Sequence, residues 1–124
     1  AARALTPAAM IARVVKAVQA GAKAVIPVVP VADTIKRVSH TVVVDTPDRS
    51  ALRAVQTPQA FDLATLRAAN EKYFSSQTRS FIATDDASLM EWYGQQVTTV
   101  EGDSMAFKIT TPLDLTLANA LLTS

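Results

Sequence analysis

The chain has 124 residues, 49% hydrophobic and 19% charged, which is the composition of one globular domain or part of one. Its 12 basic and 11 acidic side chains leave a formal charge of +1, without the basic excess of a nucleic-acid or membrane-surface binder. The absence of cysteine and the presence of one histidine, His40, exclude disulfide frameworks, thiolate metal sites, cysteine nucleophiles and multi-histidine centres. Gly21, Gly94 and Gly102 lie too far apart to form a Gly-rich phosphate loop. No apolar run reaches the roughly 18 residues of a membrane span, and no signal peptide opens the chain. The first residues, Ala-Ala-Arg without a Met, read as the interior of a longer sequence.

Thr6-Pro7 predicts a helix start, with the threonine hydroxyl as cap and proline at the first helical position. Met10, Ile11, Val14, Val15 and Val18 repeat at helical spacing, leave Arg13 and Lys16 outside, and stop at Gly21. AVIPVVPV at 24–31 predicts a buried strand, which Pro27 and Pro30 place at an edge or at a change of course. Residues 33–38 and 41–44, joined by Ser39-His40, read as a hairpin or meander, and Leu52 to Thr57 as a further short strand. Asp62 caps a second helix with Leu63, Leu66 and Tyr73 on one side, and Ser75 to Ser80 is a polar loop. Thr84, Asp85 and Asp86 suit the start of a third helix that ends at Gly94. Short strands at 97–100 and 106–109 follow. Thr111-Pro112 opens a last helix, with Leu113, Leu117, Ala120 and Leu121 as its buried stripe. Helices alternating with short strands give an α/β layer arrangement.

The candidate chemistry is scattered. His40 falls in a turn and reads as a solvated residue. Asp85 and Asp86 read either as a metal pair or as charges at a helix N-terminus; adjacent helical residues point about 100° apart and rarely chelate one ion. Asp33 to Arg37, Asp45 to Arg49, Gln56-Thr-Pro-Gln59 and Phe107-Lys-Ile-Thr110 place cations and hydroxyls in loops around the scaffold. Taken singly, each reads as surface charge or turn polarity. Together they suit an anionic ligand such as a phosphate.

The set A-A-R at 1–3, D-T-I-K-R at 33–37, D-R at 48–49, Q-T-P-Q at 56–59, T-D-D-A-S at 84–88 and F-K-I-T at 107–110 resembles the 2-C-methyl-D-erythritol 4-phosphate cytidylyltransferase family, in an actinobacterial form. The resemblance covers the C-terminal portion of a Rossmann-like nucleotidyltransferase. It implies a mostly parallel twisted sheet and a β-arm for dimerisation at about 33–54, with all of 1–124 forming part of a single domain. The half carrying the Gly-rich CTP loop and its lysine has no counterpart here, which implies that the 124 residues alone are inactive. The resemblance assigns Arg49 and Lys108 to catalysis, both positioning the phosphate of the acceptor substrate. Arg3, Thr34, Thr57 and Thr84 resemble the family's substrate-binding residues, with Thr34 and Arg49 acting across the dimer. The family's nucleotide- and magnesium-binding aspartate directly precedes Ala-Ala-Arg, which makes Ala1 the adjoining cofactor-binding position. Mg2+ is the implied cofactor, with its main ligands and those of CTP in the other half and no metal ligand in this chain. CTP and a sugar-alcohol phosphate are the implied partners, in a cytoplasmic homodimer.

The residue types fit that chemistry. A phosphate monoester has a second pKa near about 6 and is a ready nucleophile, so no general base is required. The barrier is repulsion between polyanions: two unit charges about 4 Å apart at an effective dielectric of about 20 interact by roughly 4 kcal/mol. Cations offset that repulsion and align the attack. A sister cytidylyltransferase acting on ribitol 5-phosphate has a similar motif pattern, and a non-catalytic assembly fragment is the reading from another class. Without its first half, the strand at 24–29 is expected to expose an apolar, aggregation-prone edge.

Overall fold

The computed structural model describes residues 2–76 and 83–123. Helix α1 spans Ala8–Gln19 and buries Met10 and Val14. Its apolar stripe is narrower than the sequence spacing implies, since Ile11 and Val15 are 42% and 45% exposed. The Thr6 hydroxyl is not the cap. It donates to the Arg3 carbonyl at 2.7 Å, inside its own turn, and Pro7 takes the N-cap position. Arg13 is not free on the outer face either: its guanidinium reaches the carbonyls of Glu101 at 2.8 Å and Gly102 at 3.2 Å.

Strand β1, Ala24–Pro30, is the centre of the main sheet. Strands β4 (Arg53–Val55) and β5 (Ala60–Phe61) pair with it antiparallel, and β6 (Thr98–Glu101) pairs with it parallel. The sheet is therefore mixed, not mostly parallel, among the described residues. Nor is β1 an edge, despite its two prolines. β5 pairs with Ala24 and Val25, and β4 with Val28 to Pro30, so Pro27 falls in the interval between the two antiparallel ladders. A residue without an N–H costs least there. Its carbonyl is still used, accepting from the Gln56 N–H at 2.9 Å. The open apolar edge expected at 24–29 is thus covered, and the aggregation argument resting on it lapses.

Strands β2 (Arg37–Ser39) and β3 (Val42–Asp45) form a separate antiparallel hairpin, every residue of which is exposed. His40 turns the chain there at φ 55° and is exposed, as expected of a solvated turn residue. The main sheet resumes at β4, so Arg53 and Ala54 pair with β1 and not with the hairpin.

Helix α2, Leu63–Ser75, is capped by Asp62, whose Oδ2 accepts the Thr65 N–H at 3.0 Å. Leu63 is exposed and Ala69 is the buried residue. Most of the polar loop at 75–80 lies outside the described residues. Helix α3, Asp86–Tyr93, has Asp85 and Ser88 as a capping box and ends on Gly94 at φ 96°. The strand expected at 106–109 does not form. Asp103 accepts the Met105 N–H and starts a 3-10 turn at Ser104–Ala106. One bridging bond follows, from the Ile109 N–H to the Ala2 carbonyl at 2.7 Å, and one bond makes no ladder.

Helix α4, Pro112–Leu122, begins as predicted, with Thr111 and Asp114 as its capping box. Its stripe is different: Leu113 and Leu117 are 77% and 49% exposed, whereas Ala118 is buried. Asp114 must face Thr110 and Thr111 to close the box. The covered side runs through 114, 118 and 121, spaced as one face of a helix. The core gathers Ala24, Ala69, Leu89 and Met90, with Phe61, Leu66, Tyr73 and Trp92 packed around them. Tyr73 and Trp92 meet edge to face at 5.4 Å, which ties α2 to α3.

Candidate functional site

Three loops meet beside the C-terminal half of β1. The first follows β4. Gln56 is 5% exposed, and its side-chain amide makes a two-point contact with one peptide residue. Nε2 donates to the Asp103 carbonyl at 2.8 Å, and the Asp103 N–H donates to Oε1 at 3.0 Å. The second loop, 102–109, is anchored where the Gly102 N–H donates to the Val28 carbonyl at 2.7 Å. A Cβ on Gly102 would lie 2.3 Å from Gln56 Oε1 and 3.0 Å from the Val28 oxygen, so only glycine fits that approach. The third loop is the lead-in to α1. Arg3 donates from Nη1 to the Ala106 carbonyl at 2.6 Å and from Nη2 to the Val55 carbonyl at 3.4 Å.

These ties bring Arg3, Thr57 and the segment bearing Lys108 together. Arg3 and Thr57 share a cavity of about 430 Å³, which Thr6 and Ile11 also line. Thr57 precedes a cis peptide bond to Pro58. Lys108 is exposed, one residue before the Ile109 bridge to Ala2. Thr84 lies outside that cavity and lines another with Asn70, Tyr73 and Leu89. It precedes Asp85, whose carboxylate receives the Ser88 N–H at 2.7 Å and also a hydrogen bond from Gln59, two residues past Thr57. The Ser88 N–H is the main cause holding the Asp85 carboxyl below the ordinary range, with partial burial opposing it.

Asp85 and Asp86 therefore serve the start of α3 as cap and first residue. Among the described residues, no three His, Cys, Asp or Glu side chains gather where they could hold a metal ion. The donor set does not fit a magnesium ion held by these residues alone.

Arg49 and Thr34 stand apart from that group. Arg49 opens a 3-10 turn, Arg49–Ala51, and donates from Nη1 to the Ala32 carbonyl at 2.5 Å. It lines a second cavity of 500 Å³ with Asp48, Ser50 and Arg53 at the base of the hairpin. The Asp48 carboxylate is turned toward Ser50, accepting its N–H at 3.0 Å and its hydroxyl at 2.8 Å. Those bonds, the hydroxyl first, lower its pKa. Two guanidinium groups thus border this cavity. Thr34 is exposed, two residues beyond Ala32. Ala1 lies outside the described residues.

Sequence reasoning assigned no role to Gln56 or Arg53. The signal for Gln56 was an uncharged polar residue directly after an apolar strand. For Arg53 it was a second arginine four residues after Arg49, across a turn.

A family model described as 2-C-methyl-D-erythritol 4-phosphate cytidylyltransferase matches residues 1–124. A relative of that name from Corynebacterium efficiens is 68% identical over 120 residues, which are 97% of this chain and 48% of the relative. One from Corynebacterium glutamicum is 66% identical over 122 residues, again 97% of this chain and 48% of the relative. The crystal structure of the Thermus thermophilus enzyme of that name is 40% identical, with a TM-score of 0.82 over 99% of this chain and 59% of that one. The 4-diphosphocytidyl-2C-methyl-D-erythritol synthase of Anaerococcus prevotii is 34% identical, with a TM-score of 0.85 over 99% of this chain and 56% of that one. The chain spans about half the length of the curated relatives it matches. Its mixed α/β fold is that of the two solved structures, and by the match over its whole length the chain belongs to the 2-C-methyl-D-erythritol 4-phosphate cytidylyltransferase family.

Proposed function

We propose that the protein transfers a cytidylyl group from CTP to 2-C-methyl-D-erythritol 4-phosphate and releases pyrophosphate, in cytoplasmic isoprenoid precursor synthesis. In this reading the 124 residues supply the half that holds the acceptor substrate. The observation that carries it is the convergence of Arg3, Thr57 and the Lys108 segment beside β1. The phosphate of the acceptor substrate attacks the α-phosphorus of CTP, forming a P–O bond as the bond to pyrophosphate breaks. Near neutral pH that phosphate is largely dianionic and needs no proton removed. A guanidinium has five N–H donors; the two bonds from Arg3 to carbonyls fix the plane of the fork and direct the others. Lys108 adds a point charge on a flexible stem.

The second cationic cavity, with Arg49 and Arg53, lies at the base of the exposed hairpin. Its separation from the first group supports a homodimer in which the arm carries Arg49 and Thr34 to the neighbouring subunit's acceptor substrate. Mg2+ is the proposed metal, bound with the CTP phosphates by the half of the family's enzymes that these 124 residues do not match.

A chimera tests this reading, with these 124 residues replacing the matched half of the Corynebacterium glutamicum relative. It should release pyrophosphate from CTP only when methylerythritol phosphate is added. Arg49→Ala and Lys108→Ala should each lower turnover on the order of 10²-fold, the usual loss for one charge-stabilising donor, and leave CTP binding near normal. Pyrophosphate release at parental rates in either variant would remove that residue from the site. A silent chimera beside an active parent would sink the reading itself.

A further inference from the structure

We infer that Gln56 is a positioning residue: its buried amide clamps the loop that bears Lys108 to the turn that bears Thr57. The inference rests on the proposed cytidylyl transfer for its catalytic meaning, but the clamp is a feature of the fold. Among the described residues Gln56 is the buried polar side chain, at 5% exposure, and both ends of its amide are spent on Asp103. Its backbone N–H is spent on Pro27, while the next residue of the other loop, Gly102, is spent on Val28. Neighbouring carbonyls of β1 thus hold the two loops, and the Gln56 amide closes the gap between them. Gly102 completes the fit, because any Cβ there would strike Oε1. Asp103 then starts the 3-10 turn whose last residue, Ala106, receives Arg3. Lys108 follows two residues on. Gln56 therefore sets where Lys108 stands relative to Arg3 and Thr57 without touching substrate.

The amide also explains why glutamine is needed at this position. A carboxylate could accept from the Asp103 N–H but would face the Asp103 carbonyl without a proton to donate. Leucine, of similar volume, would leave both peptide groups unpaired in a buried place.

The test uses Gln56→Leu and Gln56→Glu in the same chimera. Gln56→Leu should raise KM for the acceptor substrate at least tenfold and leave KM for CTP within twofold. Gln56→Glu should act like Gln56→Leu at pH 8 and recover toward the parent at pH 6, after normalising to the parent's own pH profile. Protonation restores the missing donor, and a role in bulk packing alone would not produce the split between the two KM values. Equal rises in both KM values, or an unchanged KM for the acceptor substrate in a folded Gln56→Leu variant, would overturn the inference. Amide hydrogen exchange separates this from the functional reading. Exchange at 102–109 should be at least tenfold faster in Gln56→Leu than in the parent, whether or not the chimera is active. Unchanged exchange there would also overturn it.

Discussion

The main sheet and the β2–β3 hairpin are built from similar residues and have opposite surroundings. β1 reads AVIPVVP and buries Ala24, Val25, Pro27 and Val28. β3 reads VVVD, and its valines are 67%, 53% and 58% exposed. β1 is flanked on both edges and covered by α1 and α3. The hairpin is held by its own ladder, by the exposed Arg37–Asp45 ion pair at 3.0 Å, and by a Lys36–Thr46 bond at 2.8 Å. An exposed pair of this kind contributes about 0–1 kcal/mol, and an isolated two-stranded hairpin is marginal in water. The contrast teaches that apolar β-sequence marks a surface to be covered, without saying by what. In β1 the cover is the chain itself. For the hairpin, the proposed dimer supplies it.

The sharpest break of that contrast lies in the core. Met90 is fully buried against Ala24, Ala69 and Leu89. Met90→Ala should cost about 2–5 kcal/mol, as large-to-small core changes do. The same truncation at Val42, in the hairpin, should stay within about 0.5 kcal/mol. Urea unfolding at a concentration where the protein is monomeric measures both. Equal losses would mean that the hairpin packs on the body after all.

A middle case sharpens the comparison. Asp85 caps α3 at the rim of the core. Asp85→Ala should cost about 1 kcal/mol at neutral pH, the usual value of an N-cap. Its folded pKa is lowered by the Ser88 N–H, so the ionised carboxylate is the stabilising form. That contribution is present above the unfolded value of about 3.9 and is lost as pH falls through the lower folded value. The stability gap between parent and variant should therefore close below about pH 4. A gap that persists unchanged into that range would show that the cap acts without its charge.

Local chemistry was legible where one residue decides the outcome. Asp62, Asp85 and Thr111 begin their helices as read, because a side-chain oxygen next to free N–H groups needs no tertiary partner. Gly94 ends α3 for an equally local reason. Thr6 is a local exception, its hydroxyl taken by the Arg3 carbonyl; other failures depended on partners distant in sequence. Pro27 looked like an edge residue because the two ladders that meet around it come from residues 53–55 and 60–61. In α4 the buried residue is Ala118, not Leu113 or Leu117, and a helix apolar on most sides does not say which side the body covers. Of the site, Arg3, Thr57 and Lys108 were named from motif resemblance; Arg3 and Thr57 line one cavity, and Arg3 bonds Ala106, two residues before Lys108. The Gln56 clamp was invisible because its partner, Asp103, is 47 residues away.

The smallest expected effect on folding tests what the hairpin is for. Val42 and Val44 lie two apart on β3 and so point to the same face of the hairpin. Replacing both with lysine removes an apolar edge and adds the charges by which natural edge strands resist pairing. If the hairpin stabilises only an assembly, the monomer's urea midpoint should move by no more than the equivalent of about 0.5 kcal/mol. Self-association of the parent chimera, read by light scattering, should be lost in the double variant. The two readouts pull in different directions, which is what makes the pair informative. A stable monomer that no longer associates assigns the exposed valines to a second copy. A destabilised monomer would assign them to the chain's own body, and the difference between β1 and β3 would then be one of degree.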